Sequence, residues 1–351
     1  MQRRSQPKRS PPPDPETFFY GLLVLALLAF IGWRWWVYHH APQHSAAAAR
    51  PKPTNTFVIA PPSLTEARPV ATVFEEQIAL AREGISSGSI DGVAGNQTRA
   101  ALMAFQRKHN LPITGSLDPD TRAQLLISPP LTNDYTITDD NLSHVSPPPK
   151  SWLEKSQQTR LDYESIVALL AEKSFSHPQL IRSLNPDVAW TNIIAGTHVT
   201  IPNVSYPAVT RKAAAINISL HDCVLEAFDS DSNLLVHFPC SIGRVAEKRP
   251  VGELHVENIA INPNYTFDPA LYPESPEAQD SEDKLIIPPG PRNPVGVAWI
   301  GLDRPGFGMH GTPVPENVGR TESHGCFRLA NWNAEYLAHL VWIGLPVTVQ
   351  P

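Results

Sequence analysis

Cysteine is scarce in this sequence, with only Cys223, Cys240 and Cys326 in a chain of 351 residues. The odd number leaves at least one thiol unpaired, or paired between chains. No second cysteine and no spaced His-Glu set accompanies Cys326 at finger or zincin intervals, so zinc is a poor reading of this thiol. A basic excess is missing too. Lys and Arg number 28 against 34 Asp and Glu, a net charge of -6, so no global field favours nucleic acid. Charge is almost absent from one long run, Thr17 to Tyr38 ("TFFYGLLVLALLAFIGWRWWVY"), where only Arg34 stands among Trp33, Trp35 and Trp36.

That run is long enough to cross a hydrocarbon core of about 30 Å as a helix. Its tryptophans suit an interfacial belt, and Arg34 can snorkel to the headgroups. Arg3, Arg4, Lys8 and Arg9 precede it. By the positive-inside rule residues 1–16 are a cytoplasmic basic tail, 17–38 an anchor, and everything beyond about residue 40 lies across the membrane. The competing reading is a cleaved signal peptide, with small residues for the peptidase in "HSAAAAR", 44–50.

Proline is plentiful, with 37 residues, and marks the joints. Residues 39–72 are a Pro/Ala-rich spacer, and 128–158, with "SPP" and "SHVSPPPK", are expected as a second linker. Between them, residues 73–127 show helical spacing at Ile78, Leu80 and Ala81, then from Ala100 to Phe105, and again at Leu125 and Leu126. Gly-Ser-Ile-Asp-Gly and Leu-Pro-Ile-Thr-Gly are turns, and Thr98 with Asp118 or Asp120 suits helix starts, which predicts a small three-helix bundle. Residues 159–204 read as helix, turn, helix and a short strand ending at Ile201-Pro202.

From Tyr206 the period becomes that of strands. Residues on either side of Asp229 to Asn233 alternate as in a hairpin, and "GELHVENIAI", "GVAWIGLD" and "GLPVTVQP" add further strands. "NWNAEYLAHLVWIG" has helical spacing ending at Gly344. Residues 207–351 should therefore be mostly β with one or two helices. The long segment from Asn262 to Asn293, with Glu274, Glu277, Asp280, Glu282 and Asp283, suits a lid or binding loop better than a passive turn. Cys223 and Cys240 lie nearly equidistant from the hairpin turn, either as a disulfide or as two small packed side chains.

Cys326 stands in "GMHGTPVPENVGRTESHGCFRLAN", too polar and turn-rich for an ordinary core. An exported, oxidising location also disfavours a casual thiol. With imidazoles at His310 and His324, a cysteine nucleophile is the chemistry these residue types suit. Spacing does not decide between the two histidines as base, since His324 and Cys326 are two apart.

Three resemblances follow from these motifs. Residues 73–127 resemble the peptidoglycan-binding-domain family through Ile90-Asp91-Gly92, Gly95, Thr98, Phe105-Gln106, Gly115 and Thr121. Residues 159–204 are similar to a LysM domain through Ile166, Ala168, Leu180, Asn185-Pro186, Gly196 and Ile201-Pro202, without the usual Gly-Asp-Thr-Leu entry. His310-Gly311-Thr312, then Ser323-His324-Gly325-Cys326-Phe327-Arg328-Leu329, resemble the L,D-transpeptidase (YkuD) catalytic domain, with support from Pro250-Val251-Gly252, "PPGPRNPVG" and Gly344-Leu345-Pro346-Val347. The implied fold is multidomain: a transmembrane helix, a three-helix domain, a small α/β LysM-like module and the mostly-β catalytic domain.

The last resemblance implies an acyl transferase acting on peptidoglycan stems, in which Cys326 expels the terminal D-alanine and a neighbouring amine resolves the thioester. It implies His310 as base, oriented by the Gly311 carbonyl, with backbone N–H groups of Gly325 and Cys326 around the oxyanion. His324 and Ser323 shape the loop. Arg328, Asn293 and Thr312 are expected at the substrate, although Arg328 could equally pair with Glu322. Neither metal nor organic cofactor is implied. The partners are peptidoglycan and, through the anchor, a membrane, with no nucleic acid. The localisation implied is a bacterial inner membrane with the catalytic domain in the periplasm or on the outer face. Water as acceptor (an L,D-carboxypeptidase) and an idle domain on a wall-anchoring protein are the alternatives.

Overall fold

The computed structural model describes residues 66–243, 249–273, 275–276, 283–320 and 325–351. The expected anchor, 17–38, lies outside them, and among the described residues no helix is long and apolar enough to cross a membrane.

Three helices, α1 (Val73–Arg82), α2 (Asn96–Lys108) and α3 (Pro119–Gln124), form the first module. A short antiparallel pair, β1 (Arg68–Pro69) with β2 (Leu126–Ile127), ties its ends together. Thr72 caps α1 by accepting from the Glu75 N–H, and Asp118 caps α3 with Pro119 behind it. Thr98 is not a helix start: α2 begins after Gly95, and the buried Thr98 hydroxyl accepts from Gln77 Nε2 at 3.4 Å. Two buried amides set the turns. Gln77 accepts from the Asp91 and Gly92 N–H groups, and Gln106 from those of Thr114 and Gly115.

The segment 128–158, linker-like by composition, is folded. It supplies β3 (Thr132–Thr136), α4 (Asp139–Ser143) and α5 (Trp152–Ser156). β3 pairs antiparallel with β4 (His198–Pro202), enclosing α6 (Ile166–Lys173) and α7 (Pro178–Leu184). The second module thus starts near residue 132 rather than 159. No residue of β3 is fully buried; of its five only Tyr135, opposite Val199, packs against the core that Val199 and Ile201 of β4 fill, so "TNDYT" gives no apolar alternation to read.

The C-terminal domain is built on an eight-stranded sheet. Its strands are β5 (Ala215–Ser219), β6 (Val224–Phe228), β7 (Leu234–Pro239), β8 (Gly252–Ile261), β11 (Ala298–Leu302), β12 (Gly308–His310), β13 (Phe327–Arg328) and β14 (Pro346–Gln350). They run in the order β13-β12-β11-β8-β14-β5-β6-β7, with β12/β13 and β14/β5 parallel and the other neighbours antiparallel. Helix α8 (Asn331–Leu340) packs Ala334 and Leu337 into the same core as Ile218, Leu225, Phe238, Ile300, Met309 and Phe327. Between β8 and β11 the long segment forms a separate pair, β9 (Tyr265–Phe267) with β10 (Leu285–Ile287). The hairpin brings Cys223 and Cys240 opposite each other, with the Cys240 N–H donating to Cys223 O at 2.8 Å, but the sulfurs are not bonded. Cys240 is fully buried in the core, so of the two readings the structure holds packed thiols.

Candidate active site

Alternation along two short strands gathers the site. Met309 and Phe327 are paired across β12 and β13 and both point into the core. Their neighbours point the other way: His310 and Arg328 are register partners, and Cys326 precedes Phe327 on the same side. Trp299, the antiparallel partner of His310 on β11, stacks on its imidazole at 5.7 Å and 24°. The sheet itself therefore brings Cys326, His310, Arg328 and Trp299 onto one face.

His310 is almost fully buried, and its Nδ1 lies 2.6 Å from Gly311 O. A carbonyl only accepts, so Nδ1 carries the proton and Nε2 keeps a lone pair. Burial holds the imidazole down to about 4; the Gly311 hydrogen bond opposes this and the Arg328 charge adds to it. Burial likewise pushes the Cys326 thiol up, against the Gly308 backbone and Arg328. Its Sγ–H donates to Gly306 O at 3.4 Å. At neutral pH the pair is thus a thiol and a neutral imidazole, not an ion pair.

Gly325 has φ +153, and a Cβ there would lie 3.3 Å from the Phe307 ring, so glycine lets the backbone pass. On its other side Gly243 packs so closely that a Cβ would lie 2.9 Å from Gly325 Cα. Ser323 and His324 lie outside the described residues. Arg328 exchanges backbone hydrogen bonds with Ser241, at 3.0 and 2.9 Å, and its side chain is half-buried.

Two expected substrate residues are placed differently. Asn293 is fully buried, and its amide donates to Pro288 O at 2.8 Å and more weakly to Pro263 O and Ile287 O. That closes the base of the long loop and leaves no polar atom facing outward. Thr312 is also buried, its N–H donating to Asn331 Oδ1 at 3.0 Å. Residues that the motifs did not single out include Trp299, Asn331, Gly306 and Tyr265, whose hydroxyl is raised in part by Cys326 after burial and Tyr272. A tryptophan inside "GVAWIGLD" gives no sign that its strand partner is a histidine.

Residues 213–349 match the L,D-transpeptidase catalytic domain family and 71–125 the peptidoglycan binding domain family. A Bacillus licheniformis protein assigned as L,D-transpeptidase YkuD is 24% identical over 188 residues, 54% of this chain and 94% of its own length. The Escherichia coli K12 protein ErfK/SrfK, assigned likewise, is 30% identical over 157 residues, 44% of this chain and 49% of its own. Among solved structures, L,D-transpeptidase 3 of Mycobacterium tuberculosis aligns at TM-score 0.32 and 18% identity, over 46% of this chain and 77% of that one. An L,D-transpeptidase of Xylanimonas cellulosilytica aligns at 0.34 and 15%, over 83% and 100%. The chain carries an L,D-transpeptidase catalytic domain over residues 213–349, preceded by a peptidoglycan-binding domain over residues 71–125.

Proposed function

We propose that the protein is a peptidoglycan L,D-transpeptidase whose nucleophile is Cys326 and whose base is His310. One observation carries this: Cys326 and His310 share a face of two adjacent strands, and the Nδ1 bond to Gly311 leaves the imidazole with a basic nitrogen. A neutral thiol is a poor nucleophile, so its proton must leave as it attacks. Nε2 accepts that proton while sulfur adds to the carbonyl at the third position of a tetrapeptide stem. The tetrahedral oxyanion forms beside the backbone of Gly325 and Cys326, where the glycine's positive φ sets the direction of the peptide groups. Collapse expels D-alanine, which takes the proton back from His310. The amine of a second stem then attacks the thioester, giving up its own proton to His310 and then to the departing sulfur. The net reaction exchanges one amide for another and needs no cofactor.

Wall attachment through residues 71–125, a LysM-like role for the β3/β4 module and a single-pass anchor at 17–38 complete the proposal. Such attachments raise the local concentration of stems without touching the chemistry. The fold of the first module, with its two amide-held turns, supports the binding role.

The test is incubation of the protein with defined disaccharide-tetrapeptides and mass analysis of the products. Dimers joined through the third residues, with D-alanine released, are expected from the wild type and none from Cys326→Ala. Cross-linking by the Cys326→Ala protein would end the assignment. Release of D-alanine without dimers would make water the acceptor.

A further inference from the structure

Asn331, the first residue of α8, reaches back beneath the loop that carries His310. Its Oδ1 accepts from the Thr312 N–H at 3.0 Å and from the Val297 N–H at 3.4 Å. Its Nδ2 donates to Glu172 Oε2 at 2.9 Å and to Pro291 O at 3.1 Å. Both ends of the amide are thereby matched to partners of one kind, which fixes which end is oxygen.

The Thr312 N–H and the Gly311 C=O belong to a single planar peptide unit. That C=O is the group that accepts from His310 Nδ1. Whatever holds the N–H end of this plane therefore sets the direction of the acceptor at its other end. The space around the amide is closed as well: a Cβ on Gly296 or on Gly311 would run into Asn331 Oδ1.

Glu172 is not part of the catalytic domain. It sits in α6 of the second module, half-buried, and its other oxygen accepts from the Tyr163 hydroxyl at 3.1 Å. We propose that Glu172 is a positioning residue for His310: by anchoring Asn331 Nδ2 it fixes the 311–312 peptide plane, and with it the imidazole that serves Cys326. The second module thus completes the catalytic geometry across a module boundary, in addition to any binding it does. The proposal rests on the assignment of Cys326 and His310 made above.

With a non-accepting side chain at 172, Asn331 Nδ2 retains only Pro291 O, and the amide is free to turn away from Thr312. A misplacement of the order of 1 Å can cost about 100-fold in rate. The full-length protein and its Glu172→Ala, Glu172→Gln and Glu172→Met variants are compared for turnover of disaccharide-tetrapeptide and for covalent adduct formation with a carbapenem at Cys326. Glu172→Ala is expected to lower kcat by roughly 10- to 100-fold with KM nearly unchanged. Glu172→Gln is expected to recover most of the rate, because its amide oxygen can accept from Asn331 Nδ2. Should Glu172→Ala not fold, Glu172→Met replaces it, since it keeps the volume and leaves only a weakly accepting thioether. Wild-type kcat in folded Glu172→Ala or Glu172→Met, or a loss in Glu172→Gln equal to theirs, overturns the proposal while leaving the Cys326 assignment intact. A wild-type protein that forms its adduct elsewhere than at Cys326 fells the assignment, and the proposal with it.

Discussion

At the scale of single residues, burial disfavours the charged forms of both His310 and Cys326. His310 is held near 4, below the ordinary histidine value of about 6.5. Its lone pair is therefore available to far more acidic pH than that of an exposed histidine, and the acid limb of kcat/KM should fall near pH 4 rather than 6.5. His310→Ala should remove that limb and slow adduct formation about 10²–10⁴-fold, the usual contribution of a general base; pH-jump rates with a carbapenem, followed by intact mass, measure both. An acid limb at 6.5 would mean that the imidazole is solvated. The same shift bears on stability. A histidine depressed on folding contributes fully above its unfolded value near 6.5, and the contribution is lost as pH falls through about 4. Glu172 acts in the opposite sense. Burial raises it to about 7 against its bonds to Asn331 and Tyr163, with Glu335 adding to the rise and Arg292 opposing it. A carboxyl raised on folding stabilises most below its unfolded value near 4.5, and that stability fades as pH climbs through 7. Thermal midpoints should therefore decline on both sides, and Glu172→Gln should flatten part of the alkaline decline.

At the scale of elements, the pair β9/β10 has little of its own to hold it. Phe267 and Ile287 are fully buried, but against Leu161 and Trp152 from the second module rather than the main sheet. Trp152 stacks on Phe267 at 4.4 Å and 17°, and Leu161 exchanges backbone hydrogen bonds with Pro289 and Arg292. Gly290 has φ +139 and leaves no space for a Cβ beside the Leu161 carbonyl. Trp152→Ala should release this pair locally: amide exchange in 265–267 and 285–287 should accelerate well before that of β11 or β14. Equal acceleration everywhere would show that α5 supports the whole domain instead. This part of the fold also shows where the sequence stops being informative. The strands of the main sheet are legible because "AINIS" and "VLEAF" alternate against a buried core, and the thiol motif is legible because polar turn residues surround Cys326. The folding of 128–158 is not, since it depends on partners far along the chain, namely β4 and the β9/β10 pair. The resemblance places Asn293 at the substrate, yet its amide is held by three carbonyls of its own loop and by the Val295 N–H, and no local pattern announces such contacts. Asn331 shows the same limit, since its importance comes from which peptide it touches.

At the scale of the whole molecule, the first module packs directly on the catalytic domain. β7 is the last strand of the main sheet and would otherwise present an open edge. Ile85 runs parallel to it, with the Ser86 N–H donating to His237 O at 2.8 Å and the His237 N–H to Gly84 O at 3.2 Å. Leu234 of β7 belongs to the same buried cluster as Ile78, Leu80 and Phe105, and Phe228 packs against it. Arg107 of α2 pairs with Glu226, and Gln97 Nε2 donates to Val318 O at 2.7 Å, in the stretch leading to the thiol motif. The cluster shared through Leu234 and Phe228, together with the covered edge, couples the two domains, and domains so coupled are expected to unfold as one unit. Calorimetry of the intact protein should therefore show a single transition spanning residues 71–351. A variant beginning at residue 128 exposes the β7 edge together with Leu234 and Phe228, and should melt several degrees lower and elute as oligomers that grow with concentration. Two resolved transitions in the intact protein, with an upper one unchanged in the truncated variant, would instead show that the binding domain unfolds alone and that the edge of β7 is protected without it.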